Sequence, residues 1–151
     1  MLKVRQLRNR RQGGASLVEL ALVLFLLVLL LAAVIDFGRA FNSYIVITNA
    51  SREGARYASR LAPSNPDHLS QYREGILAAA KRETEGSSVQ LDDDNIAIDP
   101  DPLNGLVPSG VPITVTVSYN VPTIIADVAG VGTLPLNART SMVVFGIGSS
   151  Q

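Results

Sequence analysis

The sequence predicts an α+β protein. One very long N-terminal helix, membrane-spanning in its first half, leads into a small extracytoplasmic domain with a helix packed on an antiparallel sheet. Three observations carry this reading. Leu20 to Ile35 contains no polar side chain and follows a basic head. No proline interrupts Ala15 to Ala62. Ile113 to Val121 alternates apolar and polar residues without a fault. The length of 151 residues suits one domain and an appendage.

Residues 1–14 form a basic leader, with Lys3, Arg5, Arg8, Arg10 and Arg11 and no acid. The formal net charge of +0 therefore hides a segregation, because the chain from residue 63 onward is acidic. A basic head beside an apolar helix fits an anionic membrane surface and not nucleic acid. The apolar run with its flanks, Ala15 to Ile35, is 21 residues, roughly 31 Å of helix against a hydrocarbon core of about 30 Å. We set the transmembrane helix at 15–36. Positive charge on one side only puts the head in the cytoplasm and everything after Asp36 outside it. The run is longer than the apolar centre of a cleaved secretory signal, and Leu31-Ala32-Ala33 is a poor cut site. A plain uncleaved anchor also fits the length, but it does not explain Glu19. Acidic side chains in spanning segments are rare and functional by default.

Beyond Asp36 the pattern turns amphipathic. Phe37, Phe41, Tyr44, Ile45, Thr48 and Ala55 recur at three- and four-residue steps, so the helix is expected to continue over 37–62. Within it, Arg52-Glu53-Gly54-Ala55-Arg56-Tyr57 places Glu53 within reach of Arg56 at i+3. Gly54 costs about 1 kcal/mol against alanine in a helix, which points to close approach of another backbone, the chain's own or a neighbour's. Asp36 either anchors an interface or pairs with Arg39.

The domain is expected over 63–151. Pro63 ends the long helix; Asn65 then caps a second one, with Pro66 in its first turn. Leu69, Tyr72, Ile76, Ala79 and Ala80 make its apolar stripe, and Gly86-Ser87-Ser88 stops it. Leu91 to Pro112 is an acidic loop around a short strand, Ile96 to Ile98. Asp92, Asp93, Asp94, Asp99 and Asp101 lack the spacing and closing Glu of a calcium loop, so solvation is the simpler reading than metal binding. Ile113 to Val121 is a half-buried strand, Thr123 to Ala129 a helical turn, Leu136 to Phe145 a further strand, and Gly146 to Gln151 a frayed tail.

No catalytic constellation is legible. The absence of cysteine excludes thiol nucleophiles and thiolate metal sites, and His68 stands alone. There is no nucleophile elbow or phosphate-binding loop. The sequence implies neither cofactor nor metal.

Three linked stretches resemble the TadE-like family of the bacterial tight-adherence (Tad/Flp) pilus machinery. They are Ala15-Ser16-Leu17-Val18-Glu19-Leu20-Ala21-Leu22, Ile35-Asp36-Phe37-Gly38-Arg39, and Thr48 to Ala58. The first also resembles the processing signal of type IV pilins: a basic leader, Gly14 before the cut, Ala15 as first mature residue and Glu19 as the fifth. Gly13 is an alternative cut that would make Glu19 the sixth. Leu20 stands where an aromatic residue is common in such segments, and the proline frequent in the family is missing from Leu20 to Ile35. The resemblance implies a pilin-like fold and a non-catalytic minor pilin or pseudopilin that assists assembly of a Tad-type pilus or secretion apparatus. Implied partners are the lipid bilayer, other pilin-like subunits, pilus assembly proteins and a prepilin peptidase, in the inner membrane of a bacterium. The alternative is an uncleaved single-pass anchor presenting an extracytoplasmic binding domain.

Overall fold

Nothing after the basic head interrupts a helical hydrogen-bond ladder, and α1 (Asn9–Arg60) runs for 52 residues, about 78 Å at 1.5 Å per residue. In this computed structural model, residues 9–124, 130 and 132–145 are described, with the backbone alone for 9–13. Lys3, Arg5 and Arg8, most of the turn expected over Thr123 to Ala129, and the tail from Gly146 lie outside the described residues. The helix starts upstream of the expected Ala15, since Gly13 and Gly14 weaken a helix without stopping it. It ends where expected: Leu61 N–H still reaches Tyr57 O at 3.1 Å, and Pro63 holds the residue before it out of the helical region.

The chain then turns back. Pro66–His68 is a single 3-10 turn, Asn65 Oδ1 accepting from Asp67 N at 3.0 Å, before α2 (Leu69–Arg82) begins. The α2 stripe is Tyr72, Ile76, Leu77 and Ala80; Leu77 is fully packed, whereas the expected Ala79 is only half covered. Gly86, at φ +77°, provides the left-handed residue that closes the exit turn.

Three antiparallel strands follow in the order β1–β2–β3: β1 (Ile96–Asp99), β2 (Pro112–Pro122) and β3 (Thr133–Val143). β2 is central, with Val115 opposite Ile98 on one side and Thr140 on the other. Its alternation holds in large part: Ile113, Val115, Val117 and Val121 are buried and Ser118 and Asn120 face solvent, but Thr114 is buried as well, its hydroxyl donating to Ser141 Oγ at 3.1 Å. β3 begins at Thr133, not Leu136. Pro135 lacks an N–H to donate, but on an edge strand that deficiency faces away from the ladder.

The sheet lies against the outer half of α1, with α2 alongside. Ile47, Ala50, Ala55 and Ala58 of α1, Ile76 and Ala80 of α2, and Ile113, Val115 and Val117 of β2 form one core. The buried face of α1 is a run of small residues, Ala40, Ser43, Ala50, Ser51, Gly54, Ala55, Ala58 and Ser59, interrupted by Ile47. The residues whose spacing predicted the helix's continuation mostly lie off this face: Phe37, Phe41, Tyr44 and Ile45 are exposed, and only Ala55 of that set is fully covered. Small side chains let a sheet approach a helix closely, and large ones would hold it off.

Candidate functional site

Asp36 to Ser59 spans about 35 Å of helix, and the 11 residues of β2 extend about 36 Å. The sheet is fastened to that stretch of helix at both ends. At the far end Phe145 N–H donates to Ser59 O at 2.9 Å. At the near end Ile124 N–H donates to Asp36 Oδ1 at 2.9 Å. Midway, the hydroxyls of Ser51 and Thr140 lie 2.8 Å apart. Below Asp36 the described part of the helix is mostly exposed. Ala15 to Leu31 and Val34 to Ile35 are exposed, and the most apolar 18-residue stretch, of mean hydropathy 3.1, is 0% buried. Gly14–Arg60 is long and apolar enough to cross a membrane.

The sequence-derived residues divide between these halves. Gly14, Ala15 and Glu19 lie on the bare half, all exposed, and Gly14 has open space where a Cβ would stand. Asp36 is 6% exposed and serves as a clasp between α1 and the end of β2, while Arg39 points outward. Arg52 is exposed, and Glu53 pairs with Arg56 at 2.7 Å on the helix surface. Gly54 faces inward: a Cβ there would stand 3.2 Å from Val115 Cγ1, 3.5 Å from Ala80 Cβ and 3.6 Å from Ile76 Cγ2. The close approach that Gly54 permits is to the chain's own sheet and second helix.

A second contact of this kind was not read from the sequence. Gly75, in the middle of α2, leaves the space that the Tyr57 ring fills. Tyr57 stacks on Tyr72 at 6.5 Å, and Tyr72 Oη donates to Ala58 O at 2.5 Å. Burial, with a smaller push from Tyr57, raises the Tyr72 hydroxyl to a pKa of about 12. A glycine within an otherwise good helix pattern was the available signal. Beside this contact lies an open groove of about 340 Å³ lined by Glu53, Arg56, Arg60, Ala79 and Arg82, among others. Its arginines sit near the C-terminal ends of α1 and α2, where a cation offsets the helix dipole.

The acidic loop is taken up in local structure. Asp101 Oδ1 accepts from Leu103 N at 2.9 Å, Asp92 N–H donates to Asn95 Oδ1 at 2.8 Å, and Lys81 Nζ donates to Asp93 Oδ1 at 2.5 Å. The Lys81 contact holds the Asp93 carboxyl below the usual carboxylate range. Among the described residues, no group of three or more His, Cys, Asp or Glu is placed to hold a metal ion.

The geometry is thus that of a rod, bare for its first half and sheathed by a small sheet for its second. Residues 14–56 match the family model for TadE-like protein. The match begins at Gly14, ends at Arg56, and covers fewer than a third of the 151 residues. No curated protein and no solved structure matches the chain.

Proposed function

We propose, from the TadE-like match of the long helix, that this chain is a membrane-inserted, pilin-like subunit of a Tad-type pilus or secretion apparatus, acting as a minor pilin or pseudopilin and not as an enzyme. The observation that carries the reading is the two-part α1: one helix, mostly exposed below Asp36 among the described residues and bearing its own domain above. A plain receptor domain needs no rigid continuity with its anchor, whereas a subunit that packs by its helix gains from it.

In this reading the precursor sits in the bacterial inner membrane. Its basic leader is cytoplasmic, held there by the positive-inside rule, and its α+β domain is extracytoplasmic. A prepilin peptidase cuts between Gly14 and Ala15. The new Ala15 amine is a charge at the head of a helix, and Glu19 lies one turn above it. A carboxylate in the first turn is favoured by the helix dipole and pairs with that amine, or with the amine of a neighbouring subunit. Apolar helices then bundle without leaving a lone charge in hydrocarbon, where it is costly. The outward-facing Arg39, Arg52 and Arg56 are available to neighbouring subunits or assembly proteins.

Replacing Glu19 by alanine tests the pairing. We expect the variant to insert as the parent does but to lose co-purification with other pilus components. Unaltered assembly would refute the charge-pairing role. If the leader stays attached in a functional protein, the chain is instead an uncleaved anchor presenting its outer domain to an envelope partner.

A further inference from the structure

Phe37, Phe41, Tyr44 and Ile45 stand on the side of α1 that the outer domain leaves bare. Phe37 is 73% exposed and Phe41 58%, their rings stacked at 6.3 Å. We propose that outer-leaflet lipid covers the Phe37–Phe41 patch, so that the bilayer reaches to about the level of Phe41 and the outer domain rests on the headgroups. The inference builds on the reading that α1 spans the membrane, and moves its outer boundary beyond Asp36.

Two registers are open to the helix. A hydrocarbon core of about 30 Å takes up about 20 residues. Begun at Ala15, it ends near Val34, leaves Glu19 about 6 Å inside, and puts Phe37 about 4–5 Å and Phe41 about 10 Å beyond the hydrocarbon. Begun at Leu20, it puts Glu19 at the cytoplasmic boundary, ends near Arg39, and covers Phe37. In the sequence Asp36 forbids the second register, because a carboxylate there would face lipid. In the structure it does not. Asp36 is buried, and its Oδ1 is turned onto the Ile124 amide of the chain's own domain. Among the described residues, lipid at that level meets the phenyl rings on one side and Ile124, 43% exposed, on the other. Among the described residues Arg39 is the only outward charge near this level, and its long side chain reaches headgroup phosphates while its stem stays in the apolar layer. After it no charged residue follows before Arg52.

The chain has no tryptophan, so single-tryptophan variants report one position each. The full chain is reconstituted in vesicles of phosphatidylethanolamine and phosphatidylglycerol carrying a brominated lipid. We expect Phe37→Trp and Phe41→Trp to emit at blue-shifted wavelengths, to be quenched most by bromine placed high on the acyl chain, and to be shielded from aqueous iodide. Leu27→Trp, in mid-span, is quenched most by bromine near the chain end, and Arg52→Trp is quenched by iodide. Iodide quenching at positions 37 and 41 without bromolipid quenching would overturn the proposal. So would shielding from both quenchers that disappears as lipid is added in excess, since a second copy of the chain would then be the cover. If Leu27→Trp escapes bromolipid, the spanning reading fails first and the proposal falls with it.

Discussion

Replacing Gly54 by valine pushes a side chain into the tightest contact between helix and sheet. The new Cβ stands 3.2 Å from Val115 Cγ1 and within 3.6 Å of Ala80 Cβ and Ile76 Cγ2, and two further methyl groups follow it into a closed core. Such overpacking costs about 1–3 kcal/mol, and the better helix propensity of valine returns only a few tenths of about 1 kcal/mol. A net loss of about 1–2.5 kcal/mol corresponds to a melting point lower by roughly 5–15 °C for a domain of this size. Thermal melting of the full chain in detergent checks this, followed by near-ultraviolet circular dichroism of Tyr57 and Tyr72 on the adjoining helices. Gly54→Ala is the internal control. Its single methyl stops at 3.2 Å, and a helix gain of about 1 kcal/mol offsets the squeeze, so it should melt close to the parent. Shortening Val115 to alanine in the Gly54→Val background should recover part of the loss, with a coupling of about 0.5–3 kcal/mol. A Gly54→Val protein that melts like the parent but fails to assemble would refute the reasoning and move the glycine to a subunit contact.

Gly75→Ala drives a Cβ into the Tyr57 ring and should destabilise the α1–α2 contact by about 1–2 kcal/mol, read in the same melt. Asp36→Ala removes the acceptor for Ile124 N–H, while Asp36→Asn keeps an oxygen in place; amide exchange at Ile124 should rise sharply in the first variant and little in the second. Tyr72 has its folded pKa raised from 10.0 to about 12, so its contribution is complete below pH 10, where the unfolded chain begins to ionise, and is lost as pH climbs through about 12. A stability–pH profile should show that loss, and Tyr72→Phe should remove it. Lys81→Ala breaks only a surface pair with Asp93, and the melt should scarcely move.

Much of the fold was legible because its signals are local. The apolar run, the absence of proline and the alternation of β2 each speak through neighbouring residues. What the sequence concealed lies at contacts between distant segments. The large apolar side chains on the outer half of α1, Phe37, Phe41 and Tyr44, marked its helical period without marking the face that packs. The sheet took the opposite side, where Ala50, Ser51, Gly54 and Ala58 leave room for it. Hydrophobicity weighs a phenyl ring above an alanine, whereas close packing of a helix on a sheet favours the alanine. Gly54 announced a close approach, but only the position of Val115, 61 residues onward, showed what approaches. Asp36 read as an interface anchor or a partner for Arg39, and it accepts instead from the Ile124 backbone amide, which no pattern in the sequence marks. Gly14, Ala15 and Glu19 stand out from the sequence alone, and their exposure on a bare helix leaves their proposed roles to be measured on the protein in its own membrane.

The intact mass of the chain isolated from the membranes of the cell that makes it tests the central claim most directly. A processed pilin-like subunit begins at Ala15, its mass short by residues 1–14. A functional protein that still carries Arg10 and Arg11 would contradict the account.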